Sequence, residues 1–124
     1  MNEDLPPIRV ACLCAAWCRL CDAYEPLLRE VAAEFEAAGV PLAVDWIDIE
    51  DEAELVGDVD VETFPTLLIV DPEQVRFAGP LTPQPETLRR MLRATLLEAG
   101  AETRWPAVAP EFVALAQRLR ERPP

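Results

Sequence analysis

Hydrophobic positions along this chain change their period several times, and each change marks an element. Ile8 to Cys14 (Ile-Arg-Val-Ala-Cys-Leu-Cys) is almost continuously apolar, the pattern of a strand buried on both faces. After the short turn Ala15-Ala16-Trp17 the period lengthens. Tyr24, Leu27, Leu28, Val31 and Phe35 recur at helical spacing to about Ala38, and Gly39 suits the stop. Pro26 lies inside this helix, where it removes a backbone hydrogen bond and is expected to kink the axis. Val40 to Ile49 reads as a second strand with Leu42, Val44 and Trp46 on one side, and Asp51 to Val56 as a short helix. Thr66 to Val70 is a third, fully buried strand. The turn Asp71-Pro72-Glu73 leads into a short fourth strand, Gln74 to Ala78, which Gly79-Pro80 ends. Pro85 to Gly100 reads as a helix with Leu88, Met91, Leu92, Thr95 and Leu96 on one stripe. Beyond the connector Trp105-Pro106, Pro110 to Arg122 forms a last helix. Its stripe of Phe112, Leu115, Ala116 and Leu119 is an inner packing face, or a partner surface if the helix stands off the domain.

The order β-α-β-(α)-β-β-α plus one appended helix predicts an α/β fold. Short connections and a right-handed first crossover favour a central mixed sheet of four strands with helices on both faces. A chain of 124 residues fits one domain, 1–124, with its core at about 8–100 and the extra helix at about 110–122.

Charge narrows the partners. The net charge is −12 and all eleven basic residues are arginine. An acidic surface disfavours nucleic acid and anionic membranes. No segment approaches the ~18–20 apolar residues of a membrane span. The first residues, Met1-Asn2-Glu3-Asp4-Leu5-Pro6-Pro7, are acidic and poor in apolar positions, unlike a secretory signal, so a cytoplasmic location is expected.

The candidate chemistry is sulfur. Cys12, Cys14, Cys18 and Cys21 all lie within ten residues, a poor layout for a disulfide framework spread over a secreted fold. Cys12 and Cys14 share one face of the first strand, with Cα atoms expected about 6.6 Å apart, the wide end for a disulfide. Cys18 and Cys21 are the better pair. Positions i and i+3 of a helix sit ~5–6 Å apart, which the first helical turn can adjust to disulfide geometry. A thiol at a helix start also faces unpaired amides and the positive end of the helix dipole, which favour thiolate.

Trp17-Cys18-Arg19-Leu20-Cys21 after the first strand, Pro26 five residues beyond the second cysteine, Phe64-Pro65-Thr66 opening the third strand and Gly79 after the last strand together resemble the thioredoxin superfamily over about residues 8 to 100. The resemblance implies a thioredoxin-like fold and a thiol–disulfide oxidoreductase. Cys18 would be the exposed nucleophile and Cys21 the more buried resolving thiol. It implies a cis peptide bond before Pro65, lying against the cysteines, and a substrate groove with Trp17 and Phe64 on its rim and Thr66 beside it. Arg19 and Leu20 stand where the family's intervening dipeptide tunes redox poise. No cofactor is expected beyond a redox-active Cys18–Cys21 disulfide. The partners implied are a protein or small-molecule disulfide substrate and a thiol–disulfide reductase or other electron donor.

The chain departs from the family pattern where that pattern carries a buried acid, six residues before the first cysteine. Cys12 stands there. The family's companion lysine falls near Trp46, with Asp45 and Asp48 flanking it. Two rival readings remain. The spacing C-x-C-x3-C-x2-C offers four thiolates to a zinc ion or an iron–sulfur centre. A thioredoxin-like domain can also act as an adaptor or assembly factor without turnover. Cys12 and Cys14 read as small core residues, or as auxiliary thiols, with Cys14 exchanging with the pair or forming a third redox centre.

Overall fold

Strand β1, Ile8–Cys14, sits inside the sheet and is buried from Arg9 onward. In the computed structural model, which describes residues 7–100 and 102–122, β1 forms a four-stranded sheet with Leu42–Asp48 (β2), Thr66–Val70 (β3) and Val75–Pro80 (β4), in the order β2-β1-β3-β4. β2 runs parallel to β1 with Cys12 opposite Trp46 and Cys14 opposite Asp48. β3 is antiparallel to β1 on its other side with Cys12 opposite Leu67, and β4 is antiparallel to β3. A parallel β1–β2 pair needs a crossover, and α1 (Arg19–Ala37) provides it. The sheet is mixed, as the order of elements predicts. Met1 to Pro6, on which the reading of the N-terminus rests, lie outside the described residues.

The period of two along β1 divides the core. Val10, Cys12 and Cys14 pack with Leu67 and Ile69 against Tyr24, Leu28 and Val31 of α1 and against Leu88 and Leu92 of α3 (Pro85–Leu92). Ala11 and Leu13 pack with Ile47, Leu68 and Val70 against Val56 of the short α2 (Ala53–Val56) and against Leu115, Ala116 and Leu119 of α4 (Pro110–Arg120). The last helix therefore covers the second face of the sheet, and its apolar stripe is core. Arg118 fastens it to α2, donating from Nε to the Leu55 carbonyl at 2.7 Å and from Nη2 to that of Val56 at 3.2 Å. Gly57, at φ 64°, lies directly beneath that guanidinium, where a Cβ would collide with it.

One expectation about the helices needs correction. The helix expected from Pro85 to Gly100 is α-helical only to Leu92, and Arg93–Leu97 is a π-helical segment. There the Glu98 N–H reaches the Arg93 carbonyl at 2.9 Å. Polar groups in that turn engage the backbone: the Thr95 hydroxyl donates to the Met91 carbonyl at 2.7 Å, and Arg76 donates to that of Thr95 at 2.6 Å. Helix α1, by contrast, continues through Pro26 for 19 residues.

Candidate functional site

At the C-terminal end of β1 the chain turns through Ala15, Ala16 and Trp17 and enters α1 with Cys18 as N-cap. The Cys18 N–H donates to the Ala15 carbonyl at 3.0 Å, closing the turn, and the Cys18 carbonyl accepts from Asp22 N–H at 3.3 Å. The thiol caps nothing. The end of β2 steadies the loop. Ile49 N–H donates to the Cys14 carbonyl at 2.9 Å. The Asp48 carboxylate accepts from the backbone N–H groups of Asp51, Glu50 and Ala16, which hold its carboxyl below the usual carboxylate range.

The four cysteines differ sharply in environment. Cys12 and Cys14 point from β1 toward α1, where Cys21 belongs to the buried stripe of the helix. Cys14 and Cys21 are joined by a disulfide across Cα atoms 5.9 Å apart, inside the ordinary range for such bonds. Cys18 and Cys12 are free, the first partly exposed and the second buried. The Cys12 thiol lies 3.8 Å from the Cys14 sulfur. Because Cys14 is bonded and has no proton, Cys12 is the donor in that contact. Burial, and then the negative charge of Glu25, push the Cys12 thiol up to about 12. Tyr24 lies near it. Its hydroxyl has no hydrogen-bond partner among the described residues, and burial followed by the Cys12 charge raises its ionisation well above the usual range.

The disulfide expected between Cys18 and Cys21 is therefore not the bond seen: Cys21 is paired with Cys14. The reason lies in direction. Cys21 shares the inward face of α1 with Tyr24 and Leu28, and the alternation of β1 aims Cys14 at the same layer. As N-cap, Cys18 sits outside that stripe. The signal for this pairing was present in the sequence, since Cys14 falls on the α1 face of β1. Cys12 and Cys14 stay unbonded to each other, as their strand spacing implies. Among the described residues, no three or more His, Cys, Asp or Glu side chains are grouped so as to hold a metal ion. Two of the four sulfurs proposed as ligands are instead bonded to one another.

The start of β3 lies beside the end of β1, with Thr66 opposite Leu13. The Phe64–Pro65 peptide is cis. Pro65 is buried and its carbonyl accepts from Leu81 N–H at 3.1 Å, while the Thr66 hydroxyl donates to the Thr63 carbonyl at 2.7 Å. Trp17 stands edge-on to Phe64, with ring centroids 5.5 Å apart and planes at 79°. Trp17 is 66% exposed and Leu20 41%, and Arg19 is exposed beside them, so the rim around Cys18 is largely apolar and open. Asp45 is buried, but on the other side of the sheet: Arg9 holds it with bonds of 2.9 and 2.8 Å, and Arg9 also reaches the Arg122 carbonyl near α4. It supplies no carboxylate to the sulfurs.

A strand delivering cysteines to the start of a helix, beside a cis-proline loop and within a mixed sheet of order β2-β1-β3-β4, defines a thioredoxin-like domain. The thioredoxin family model matches residues 7–93, and the chain belongs to that family. No curated protein sequence matches it significantly. Solved structures with this fold include a malarial protein at TM-score 0.61 and 13% identity, covering 74% of this chain and 100% of that one. The germline-specific thioredoxin Deadhead (Thioredoxin-1) of Drosophila melanogaster aligns at TM-score 0.60 and 19% identity, over 71% of this chain and 80% of its own. Human ERp44 aligns at TM-score 0.58 and 14% identity over 70% of this chain, which spans 27% of that larger protein. At such identities the likeness is one of fold. Among the described residues no helix is long and apolar enough to cross a membrane.

Proposed function

We propose that this protein is a thiol–disulfide oxidoreductase in which Cys18 attacks the substrate. The observation that carries this reading is the position of Cys18: a free, partly exposed thiol at the N-cap of α1, next to a disulfide in a thioredoxin-family domain. In the reduced protein, Cys18 thiolate attacks one sulfur of a substrate disulfide. A mixed disulfide forms and the other substrate sulfur leaves as thiolate, taking up a proton. Cys21, three positions on and therefore adjacent to the N-cap side chain, then gives up its proton and attacks the Cys18 sulfur. The second substrate sulfur leaves, and the protein carries the new disulfide. The substrate gains two electrons and the protein loses them. A dithiol donor or a reductase returns them.

The exposed rim of Trp17 and Leu20, with Phe64 behind it, suits substrates whose disulfide is flanked by apolar side chains. Reduction of insulin in the presence of dithiothreitol tests the reading. Wild-type protein is expected to accelerate it and Cys18→Ser to run at the uncatalysed rate. Equal acceleration by both proteins would overturn the assignment.

A further inference from the structure

We infer that Cys14 competes with Cys18 for Cys21, and that shifting the Cys21 bond from Cys18 to Cys14 switches the site from turnover to covalent capture of substrate. The inference rests on the exchange chemistry proposed for Cys18. Its own foundation is that Cys21 has two thiols within reach. One is Cys18, at the N-cap of the same helix. The other is Cys14, at the end of β1, to which it is bonded here without departure from ordinary Cα spacing.

The step is an internal isomerisation. Cys14 loses its proton and its thiolate attacks the Cys21 sulfur of a Cys18–Cys21 disulfide. The Cys14–Cys21 bond forms, the Cys18–Cys21 bond breaks, and Cys18 departs as thiolate and takes the proton up. No electrons enter or leave. The two products differ in what the surface presents. With Cys18–Cys21 closed, no thiol is offered. With Cys14–Cys21 closed, the bond is buried and Cys18 remains a free thiol on an apolar rim.

In the second state Cys18 still attacks a substrate disulfide, but the thiol that would release the product is occupied. The mixed disulfide persists until an external thiol cleaves it or reduces Cys14–Cys21. Cys12 does not reopen the bond from inside. It touches the Cys14 sulfur, yet burial and Glu25 keep it protonated, and a protonated thiol is a poor nucleophile. The substrate class is thus a protein disulfide or reactive disulfide held covalently, with the glutathione or dithiol poise deciding between holding and turning over.

Disulfide mapping tests this directly. Tryptic cleavage after Arg9, Arg19 and Arg29 leaves Cys12, Cys14 and Cys18 on one peptide and Cys21 on the next, so fragmentation of the linked pair identifies the partner of Cys21. Wild-type protein equilibrated in a buffer of reduced and oxidised glutathione, acid-quenched and alkylated, is expected to show Cys14–Cys21 with Cys18 carrying either glutathione or the alkyl group, and never bonded to Cys21. Dithiodipyridine added to the Cys14–Cys21 form before alkylation, with glutathione removed by brief exposure to reduced glutathione and desalting, should leave a lasting thiopyridyl adduct on Cys18. Cys14→Ala, with Cys14→Ser as the alternative if alanine does not fold, is expected to close Cys18–Cys21 instead and to lose the adduct. A Cys18–Cys21 bond in wild-type protein at every glutathione ratio overturns the switch, as does a Cys18 adduct that discharges internally from the Cys14–Cys21 form. Failure of the exchange reading is distinct: fully reduced wild-type protein would then not accelerate insulin reduction, whichever bond the mapping finds.

Discussion

Trp17 and Phe64 meet edge to face, 5.5 Å between ring centroids, and so tie the loop before α1 to the cis-proline loop before β3. Such pairs contribute about 0.5–1.5 kcal/mol beyond area burial, yet most of the Trp17 surface remains open to solvent. Trp17→Ala is therefore expected to cost about 1 kcal/mol of stability while raising KM for insulin several-fold. Its rate with a small disulfide such as dithiodipyridine should change far less. Parallel assays of the two substrates, with urea melts, separate the binding effect from the stability effect.

Arg9 and Asp45 form an ion pair with side chains only 7% and 5% exposed. Removing one partner of such a pair leaves an uncompensated buried charge and typically costs about 3–5 kcal/mol, whereas replacing both with apolar residues is often nearly neutral. Arg9→Leu alone is expected to fall in that range, and Arg9→Leu with Asp45→Leu to recover most of the loss. Because the pair faces α4 and not the cysteines, the exchange rate per folded molecule should stay constant through the series. Denaturant titrations and insulin assays on the same samples check both statements.

Alkaline stability should depend on Cys12. Its thiol is raised from 9.0 to about 12 by burial and then by Glu25. The folded state holds the proton that the unfolded chain gives up, so this stabilisation is complete below about pH 9 and is lost as pH rises toward 12. One such proton corresponds to a slope of about −1.4 kcal/mol per pH unit. Tyr24, raised by burial and by Cys12, adds to the slope above its ordinary value of 10.0. Cys12→Ala is expected to flatten the lower part of this decline in pH-dependent urea melts and to leave stability near neutrality sensitive only to the small cavity.

Reducing the protein should loosen it. The Cys14–Cys21 bond closes a short loop, sequence separation 7, for which the chain-entropy relation gives about 2–3 kcal/mol. Dithiothreitol is expected to lower stability by about that amount in wild-type protein and to have little effect on a Cys14→Ala, Cys18→Ser double variant, in which Cys21 has neither partner. Calorimetry with and without reductant measures the difference.

The sheet was readable because its strands are apolar runs of the right length between turn signals, and α1 because Tyr24, Leu28, Val31 and Phe35 keep strict period. The site was only partly readable. Spacing along the chain brings Cys18 and Cys21 together, but which thiol bonds to Cys21 depends on the contact between two elements. That contact is set by the alternation of β1, which points Cys14 and not Cys18 into the layer shared with α1. Asp45 was hidden for the same reason. A carboxylate in a strand gives no sign of being buried until its partner is found, and Arg9 pairs with it from the neighbouring strand. The π-helical segment after Leu92 was invisible because one of its polar contacts, Arg76 to the Thr95 carbonyl, comes from β4.

The central claim is that the Cys18 sulfur is the one that meets substrate. Cys21→Ser protein, reduced and mixed with insulin, leaves a mixed disulfide without its resolving thiol, and mass spectrometry of the isolated complex identifies the linked cysteine. A covalent complex joined through Cys18, and lost in Cys18→Ser, Cys21→Ser, is the expected result. A complex joined through Cys12 or Cys14, or equal complex formation without Cys18, would contradict it.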